Sequence, residues 1–223
     1  MPTYNGTNSS EYINGSSGAD TIWGYAGDDT IDGAAGNDYI DAGYGNDTVY
    51  GGDGNDTIFG YDGNDLLAGL AGDDTIVGEN NNDTIYGGAG NDLIYGDGYG
   101  GIGQDVMSGG AGVDTLYGGE DNDMYLFTFG YDGVDFIYDS QGDYDHLIIN
   151  GVTNVSQLGI THYGNDVYVY RRADLAADSV IDEYVQIVNY YNGSSFAEGK
   201  IELLTVNGTY LNFQDYISNS WQT

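Results

Sequence analysis

Apolar and polar positions repeat along the chain with a period of nine from near Gly15 to Leu126, interrupted once. The clearest copy runs Gly51-Gly52-Asp53-Gly54-Asn55-Asp56-Thr57-Ile58-Phe59: a glycine-rich turn of six residues ending in Asp, then three residues with an apolar one at the centre. The eighth place carries Ile22, Ile31, Ile40, Val49, Ile58, Leu67, Ile76, Ile85, Ile94, Met107, Leu116 and Tyr125. The sixth place carries Asp20, Asp29, Asp38, Asp47, Asp56, Asp65, Asp74, Asp83, Asp92, Asp105, Asp114 and Asp123. One apolar residue flanked by two outward ones predicts a three-residue strand in each unit. A single unit buries almost nothing, so stacking of successive units must supply the core.

Stacking has an electrostatic consequence. Strands about 4.8 Å apart bring equivalent side chains into ladders, so the Asp column would stand in register along the axis. Two unit charges about 5 Å apart at an effective dielectric near 20 repel by about 3 kcal/mol, and the ladder repeats that down the stack. A cation between carboxylates reverses the sign. Ca²⁺ accepts six to eight oxygens in a flexible geometry and takes backbone carbonyls, which a glycine turn can aim inward. Mg²⁺ demands near-ideal octahedral geometry. Zinc would want Cys or His; the chain has no Cys, and both histidines lie outside the repeats. Glycine at the fourth place (Gly27, Gly36, Gly45, Gly54, Gly63, Gly72, Gly90) predicts a positive φ there, and the mid-array substitution is Asn81, of the residue type that best tolerates that region. Without calcium a disordered, acidic, glycine-rich chain is expected.

The stretches GGDGNDTIF at Gly51 to Phe59 and GGAGNDLIY at Gly87 to Tyr95 resemble the RTX nonapeptide of type I secreted bacterial proteins. The resemblance implies an all-β fold, a right-handed parallel β-roll in which odd repeats form one wall and even repeats the other, with an ion between repeat n and repeat n+2. Asp38 would then share an ion with Asp56, and Asp47 with Asp65. It further implies main-chain ligands at Gly33, Gly51, Gly60, Gly69 and Gly87 in the first place and at Gly36, Gly45, Gly54, Gly63, Gly72 and Gly90 in the fourth. Roughly ten Ca²⁺ would be held. Beyond the repeats, Asp123 to Phe127, Gly133 to Tyr138, Gly164 to Val169 and Val185 to Tyr191 resemble the last calcium block and C-terminal flank of large RTX cytolysins, implying a cap and a type I secretion signal.

Residues 1–14 are expected as an N-terminal cap, 15–126 as the roll and 127–223 as a β-rich capping region. Glu11 takes the sixth place in the first copy, and Asp135 and Asp145 belong to degenerate copies. The unit between Gly96 and Ser108 is about four residues too long, with Gly98 to Gly101 as the surplus; an outward bulge there would keep the register. In the flank, His146 to Ile149, Asp166 to Tyr170, Glu183 to Tyr190 and Ile201 to Val206 read as strands, and Asn207-Gly208 as a hairpin turn.

One wall is expected to present Thr21 and Trp23, Thr57 and Phe59, Thr75 and Val77, Leu93 and Tyr95, and Thr115 and Tyr117; the other Thr48 and Tyr50, Leu66 and Ala68, and Thr84 and Tyr86. Trp23, Phe59, Tyr95 and Tyr117 are candidates for binding a glycan or a second roll, although Thr and Tyr also simply suit exposed strands. The third place (Ala26, Ala35, Tyr44, Asp53) lacks the Thr file that ice binding would need.

The formal net charge is -33, from 36 acids against 3 basic residues, Arg171, Arg172 and Lys200. Nucleic acid and anionic membrane are poor partners for such a chain. Extracellular calcium modules bind at about 10⁻⁴ to 10⁻³ M, so these sites would fill outside the cell. The expected partners are calcium, the type I secretion apparatus and an upstream effector region. No segment is long enough to span a bilayer and none reads as a signal peptide. With no His-Glu-x-x-His and no Gly-x-Ser-x-Gly, and with His146 and His162 expected at exposed strand or loop positions, no catalysis is expected.

Overall fold

The computed structural model describes residues 1–98, 100–139, 144–163, 166–172, 184–188, 201–206 and 209–212. These residues form parallel strands wound into a β-roll, with one 3-10 turn at Val155–Gln157. Each coil contributes one strand to each of two walls. The first wall stacks Thr3–Asn5, Thr21–Trp23, Tyr39–Tyr44, Thr57–Asp62, Thr75–Asn80 and Leu93–Tyr95. The second stacks Tyr12–Asn14, Thr30–Asp32, Thr48–Asp53, Leu66–Ala71 and Thr84–Ala89. The pairing joins repeat n to repeat n+2, as in Tyr39↔Thr57 and Thr48↔Leu66.

The period explains the winding. In the short strands Thr21–Trp23, Thr30–Asp32 and Leu93–Tyr95 the middle residue is buried and its neighbours are half-buried. The middle residues face one another across the roll: Ile22, Ile31, Ile40, Val49, Ile58, Leu67, Ile76, Ile85, Ile94 and Met107 are all 0% exposed. A fully buried aliphatic side chain of this size is worth about 1.5–3 kcal/mol, so the core is a one-dimensional stack with no lateral reserve.

The turns need a left-handed backbone at two places. Fourth-place Gly54 and Gly72 have φ of 129° and 133°, and Asn81 has 77°, in agreement with the expectation. The second place was not foreseen: Tyr25, Ala34, Tyr61, Leu70 and Glu79 hold φ between 73° and 82°. Each such residue costs about 1–2 kcal/mol that stacking must offset.

The long unit keeps its register, the ladder stepping by 22 rather than 18 residues in Thr84↔Val106 and Leu93↔Thr115. The parallel ladders also extend past both expected boundaries. Thr3–Asn5 and Tyr12–Asn14 pair in register with the walls, so the expected cap is built as the first coil. At the other end Gly133–Tyr138 and Asp145–Asn150 continue the walls, followed by Tyr184–Ile187 and Ile201–Val206. Leu158–Tyr163, Asp166–Arg171 and Thr209–Asn212 then add antiparallel edges. The flank therefore prolongs both sheets. Asn207-Gly208 lies outside the described residues, and the strands on either side pair antiparallel through Val206↔Thr209. His146 corrects an expectation: it is 9% exposed, with Nε2 2.7 Å from Thr205 Oγ1, because the prolonged second wall brings Thr205 alongside.

Ile58→Ala, in the middle of the stack, is expected to lower stability by about 3 kcal/mol in urea titrations at saturating calcium, whereas Thr57→Ala on the same strand should change it by less than about 1 kcal/mol.

Candidate metal centre

The Asp that closes each turn begins the strand, which points its side chain back along the turn and under the neighbouring coil. Asp20, Asp29, Asp38, Asp47, Asp56, Asp65, Asp74, Asp83, Asp92, Asp105, Asp114 and Asp123 are all buried, none more than 3% exposed. They form one ladder per wall. The backbone N–H of Asp38 donates to Asp56 Oδ1 at 2.8 Å, that of Asp47 to Asp65 Oδ1 at 2.8 Å, and that of Asp56 to Asp74 Oδ1 at 2.7 Å. The ladder crosses the long unit without a break, Asp83 N–H donating to Asp105 Oδ1 at 2.8 Å and Asp92 N–H to Asp114 Oδ1 at 2.8 Å.

Asp20, at the start of the file, has both oxygens met by Ser16, whereas the carboxylates that follow are only half satisfied. The Oδ2 atoms of Asp29, Asp38, Asp47, Asp56, Asp65, Asp74, Asp83, Asp92, Asp105, Asp114 and Asp123 are buried with no hydrogen-bond partner. An anionic oxygen removed from water and left unpaired costs several kcal/mol. Burial accordingly pushes the Asp83 and Asp123 carboxyls up to about 9, and those of Asp65, Asp74 and Asp105 up to about 7, with neighbouring carboxylates adding to the rise and the backbone N–H opposing it. Acceptor-only oxygens stacked in a file suit a hard cation.

The first-place glycines complete the cradle. A Cβ on Gly51, Gly60, Gly69 or Gly87 would stand 2.2–2.4 Å from Oδ2 of Asp56, Asp65, Asp74 or Asp92. On Gly33 it would stand 2.7 Å from Asp38 Oδ2. A Cβ on fourth-place Gly36, Gly45, Gly54, Gly63, Gly72 or Gly90 would instead strike the backbone of the preceding coil, as with Gly54 1.9 Å from Gly36 O. A side chain at any of these glycines would clash, and the first-place carbonyls lie against the same interior: Gly69 O is 2.9 Å from the Gly51 Cβ position.

Two features were not read from the sequence. The first is a fifth-place ladder with the opposite polarity: Asn55 N–H donates to Asn37 Oδ1 at 3.1 Å, Asn64 N–H to Asn46 Oδ1 at 2.8 Å and Asn82 N–H to Asn64 Oδ1 at 3.0 Å. Its signal, an Asn column beside the Asp column, is present in the sequence. The second is Asp139. Because Tyr117 pairs with Tyr138, Asp139 follows in the place that Gly118 holds one coil earlier. Carboxylate oxygens of Asp123, Asp139 and Asp145 lie within 4.8 Å of one another. Tyr125 Oη donates to Asp139 Oδ2 at 2.7 Å, and Asp123 N–H to Asp145 Oδ1 at 2.9 Å. Asp135 also stands in register, opposite Asp114. Glu11 N–H donates to Asp29 Oδ1 at 2.8 Å, so the first coil joins the ladder through its backbone.

On the surface, Tyr95, Tyr117 and Tyr138 stack in turn, with centroids 4.8 and 4.9 Å apart. Trp23 and Phe59 do not touch each other but each packs on Tyr39, at 5.5 and 5.7 Å.

A family model described as the RTX calcium-binding nonapeptide repeat matches the chain over residues 5–40, 34–67, 41–76, 68–98 and 99–127. No curated protein matches the chain.

Two outcomes are expected from this geometry. Gly69→Ala should destabilise the calcium-loaded chain by about 1–3 kcal/mol, whereas Gly18→Ala, whose Cβ meets nothing within 4 Å, should be near neutral in the same urea titration. The second concerns pH. In the ion-free roll the Asp carboxyls hold protons above their ordinary value of 3.8 and up to about 9, so the folded chain binds more protons than the unfolded one across that window. Ion-free stability is therefore full below the ordinary value and is lost as pH rises through the raised values. In chelator, far-UV circular dichroism should show more β structure near pH 5 than near pH 8. With calcium the order should reverse, since protons compete for the same oxygens.

Proposed function

Because the chain belongs to the RTX calcium-binding nonapeptide repeat family, we propose that it is a calcium-dependent folding module: disordered without the ion, and wound into its roll when it meets calcium outside the cell. The observation that carries this reading is the file of buried carboxylates with one oxygen held by backbone and the other unpaired. Such a file opposes folding until a cation arrives, so ion binding energy becomes folding energy.

The ligands on this reading are Asp20, Asp29, Asp38, Asp47, Asp56, Asp65, Asp74, Asp83, Asp92, Asp105, Asp114 and Asp123, with carbonyl oxygens of the first- and fourth-place glycines. Asp139 and Asp145 extend the set at the C-terminal end. About ten ions would remove about twenty of the chain's negative charges and still leave it acidic. Residues 15–126 act as the core of the ion-binding roll, 1–14 as its starting coil, and 127–223 as the flank that covers its far end and bears the type I secretion signal. The typical range of extracellular calcium modules, about 10⁻⁴ to 10⁻³ M, leaves the sites empty in a cytosol and fills them outside, which lets the chain leave its cell unfolded. The role of the roll is structural, and its paired carboxylates serve as ligands without acid–base work. No helix among the described residues is long and apolar enough to cross a membrane.

Calcium titration followed by far-UV circular dichroism tests the reading. A steep coil-to-β transition at sub-millimolar to millimolar Ca²⁺ is expected, absent with Mg²⁺ and weakened in a chain ending at Leu126. A chain fully β-rich in chelator at neutral pH would overturn it.

A further inference from the structure

The outward files of the first wall are interrupted at Asp41 and Gly43. In the ninth-place file Trp23 pairs with Asp41 and Asp41 with Phe59, so a short carboxylate stands between two aromatic residues. In the second-place file Gly43 stands between Tyr25 and Tyr61, with its Cβ position 2.3 Å from Tyr25 O. Both missing side chains fall in the same coil, on the same face. The result is a notch of about 330 Å³ lined by Trp23, Tyr25, Asp41, Tyr44, Tyr61 and Asp62. That is the size of a site for a small ligand.

Farther along the wall the aromatic rings cover one another. Tyr95, Tyr117 and Tyr138 stack at interplanar angles of 9° and 17°, which occupies their faces. Around the notch the contacts are tilted, at 51° for Trp23 with Tyr39 and 31° for Phe59 with Tyr61, and Tyr25 and Tyr44 remain 47% and 66% exposed. Asp41 is half-buried and lines the notch together with Tyr61, which places a carboxylate among the aromatic rings. Asp62 is held in its turn by the side-chain amide of Asn80 at 2.6 Å.

From this juxtaposition we infer that the notch is a binding site for a small organic cation of the quaternary ammonium type. Aromatic rings attract such a cation through their negative faces, and a partly desolvated carboxylate supplies the counter-charge that the poorly hydrated head needs. The chain itself has no candidate occupant nearby, since no Lys or Arg precedes Arg171. The net charge of -33 raises the local concentration of cations and disfavours anionic ligands. A neutral sugar would also stack on aromatic faces, but it gains nothing from the charge of Asp41. The inference needs a folded roll and does not depend on calcium triggering its folding.

Isothermal titration calorimetry at saturating calcium and fixed ionic strength tests it, with choline chloride and its uncharged isostere 3,3-dimethylbutan-1-ol as probes. Saturable choline binding is expected, with the isostere weaker by about tenfold or more. Asp41→Asn and Tyr61→Gly should each weaken choline about tenfold. Tyr61→Gly is chosen because the residue sits at φ 73°, where glycine is unstrained, so the roll is retained; circular dichroism in calcium checks each variant. Asp53→Asn, which removes an exposed charge from the second wall, should leave choline binding unchanged. Equal binding of the isostere, equal loss in Asp53→Asn and Asp41→Asn, or no saturable choline binding would each overturn the inference. Co-sedimentation with phosphatidylcholine vesicles then distinguishes a lipid-borne headgroup from a free solute as the source.

Discussion

The structure depends on a carboxylate that is half inside a hydrogen-bonded lattice. From Asp29 to Asp123, one oxygen of each repeat Asp accepts an N–H of the neighbouring coil, which holds the side chain inward; the other oxygen is sealed from water with no hydrogen-bond partner. Charged, such an oxygen costs several kcal/mol, and a domain's whole net stability is about 5–15 kcal/mol. A handful of uncompensated sites would exceed that margin, and the roll has eleven such oxygens among the repeat aspartates alone. The aliphatic column opposes this cost, but the repeat supplies only one large aliphatic core residue per nine-residue unit, at the eighth place. A cation meeting those oxygens would remove the cost that the aliphatic column alone must otherwise offset.

The same requirement explains why the turns are built from glycine in two different senses. At the fourth place the backbone is left-handed and passes against the carbonyl of the coil before it, so both conformation and space exclude a side chain. At the first place space alone decides, since a Cβ would lie on the unpaired carboxylate oxygen. Ala42, at the first place before Asp47, is fully buried and shows that the first rule bends once. The second place is left-handed too, yet it accepts Tyr, Leu and Glu. Their side chains point to solvent, so the cost is conformational only, and stacking carries it.

Much of this was legible because the fold is one-dimensional. A strict period of nine turns counting into geometry: the eighth place had to be core and the sixth place had to stack, as Ile58 and Asp56 show, while the meeting of repeat n with repeat n+2, seen in the Tyr39↔Thr57 pairing, was implied by the resemblance to the RTX nonapeptide. Legibility failed where counting failed. Asp139 takes a glycine's place at the end of a coil whose turn length has changed, so its register follows only from the Tyr117↔Tyr138 pairing. His146 reads as a polar residue in an ordinary strand, and only the arrival of Ile201–Val206 from far along the chain buries it. Tyr39 and Asp41 interrupt the Thr and aromatic files, and their importance lies in what they leave open, which residue types alone do not convey.

The distribution of charge links the interior to the surface. With no Lys or Arg in the first 170 residues, the carboxylates of the repeats have no basic side chain within the repeats to neutralise them. Every counter-charge must come from solution, and the surroundings of each acid decide which kind it selects. In the interior the unpaired carboxylate oxygens lie close to first-place carbonyls, which favours a small hard ion that replaces its water with carboxylates and carbonyls. At Asp41 the surroundings are aromatic and open on one side, which favours a large, poorly hydrated cation that could not enter the ladder. A lysine placed in either file would satisfy one carboxylate and close that choice, so the near absence of basic residues is what keeps both kinds of site selective.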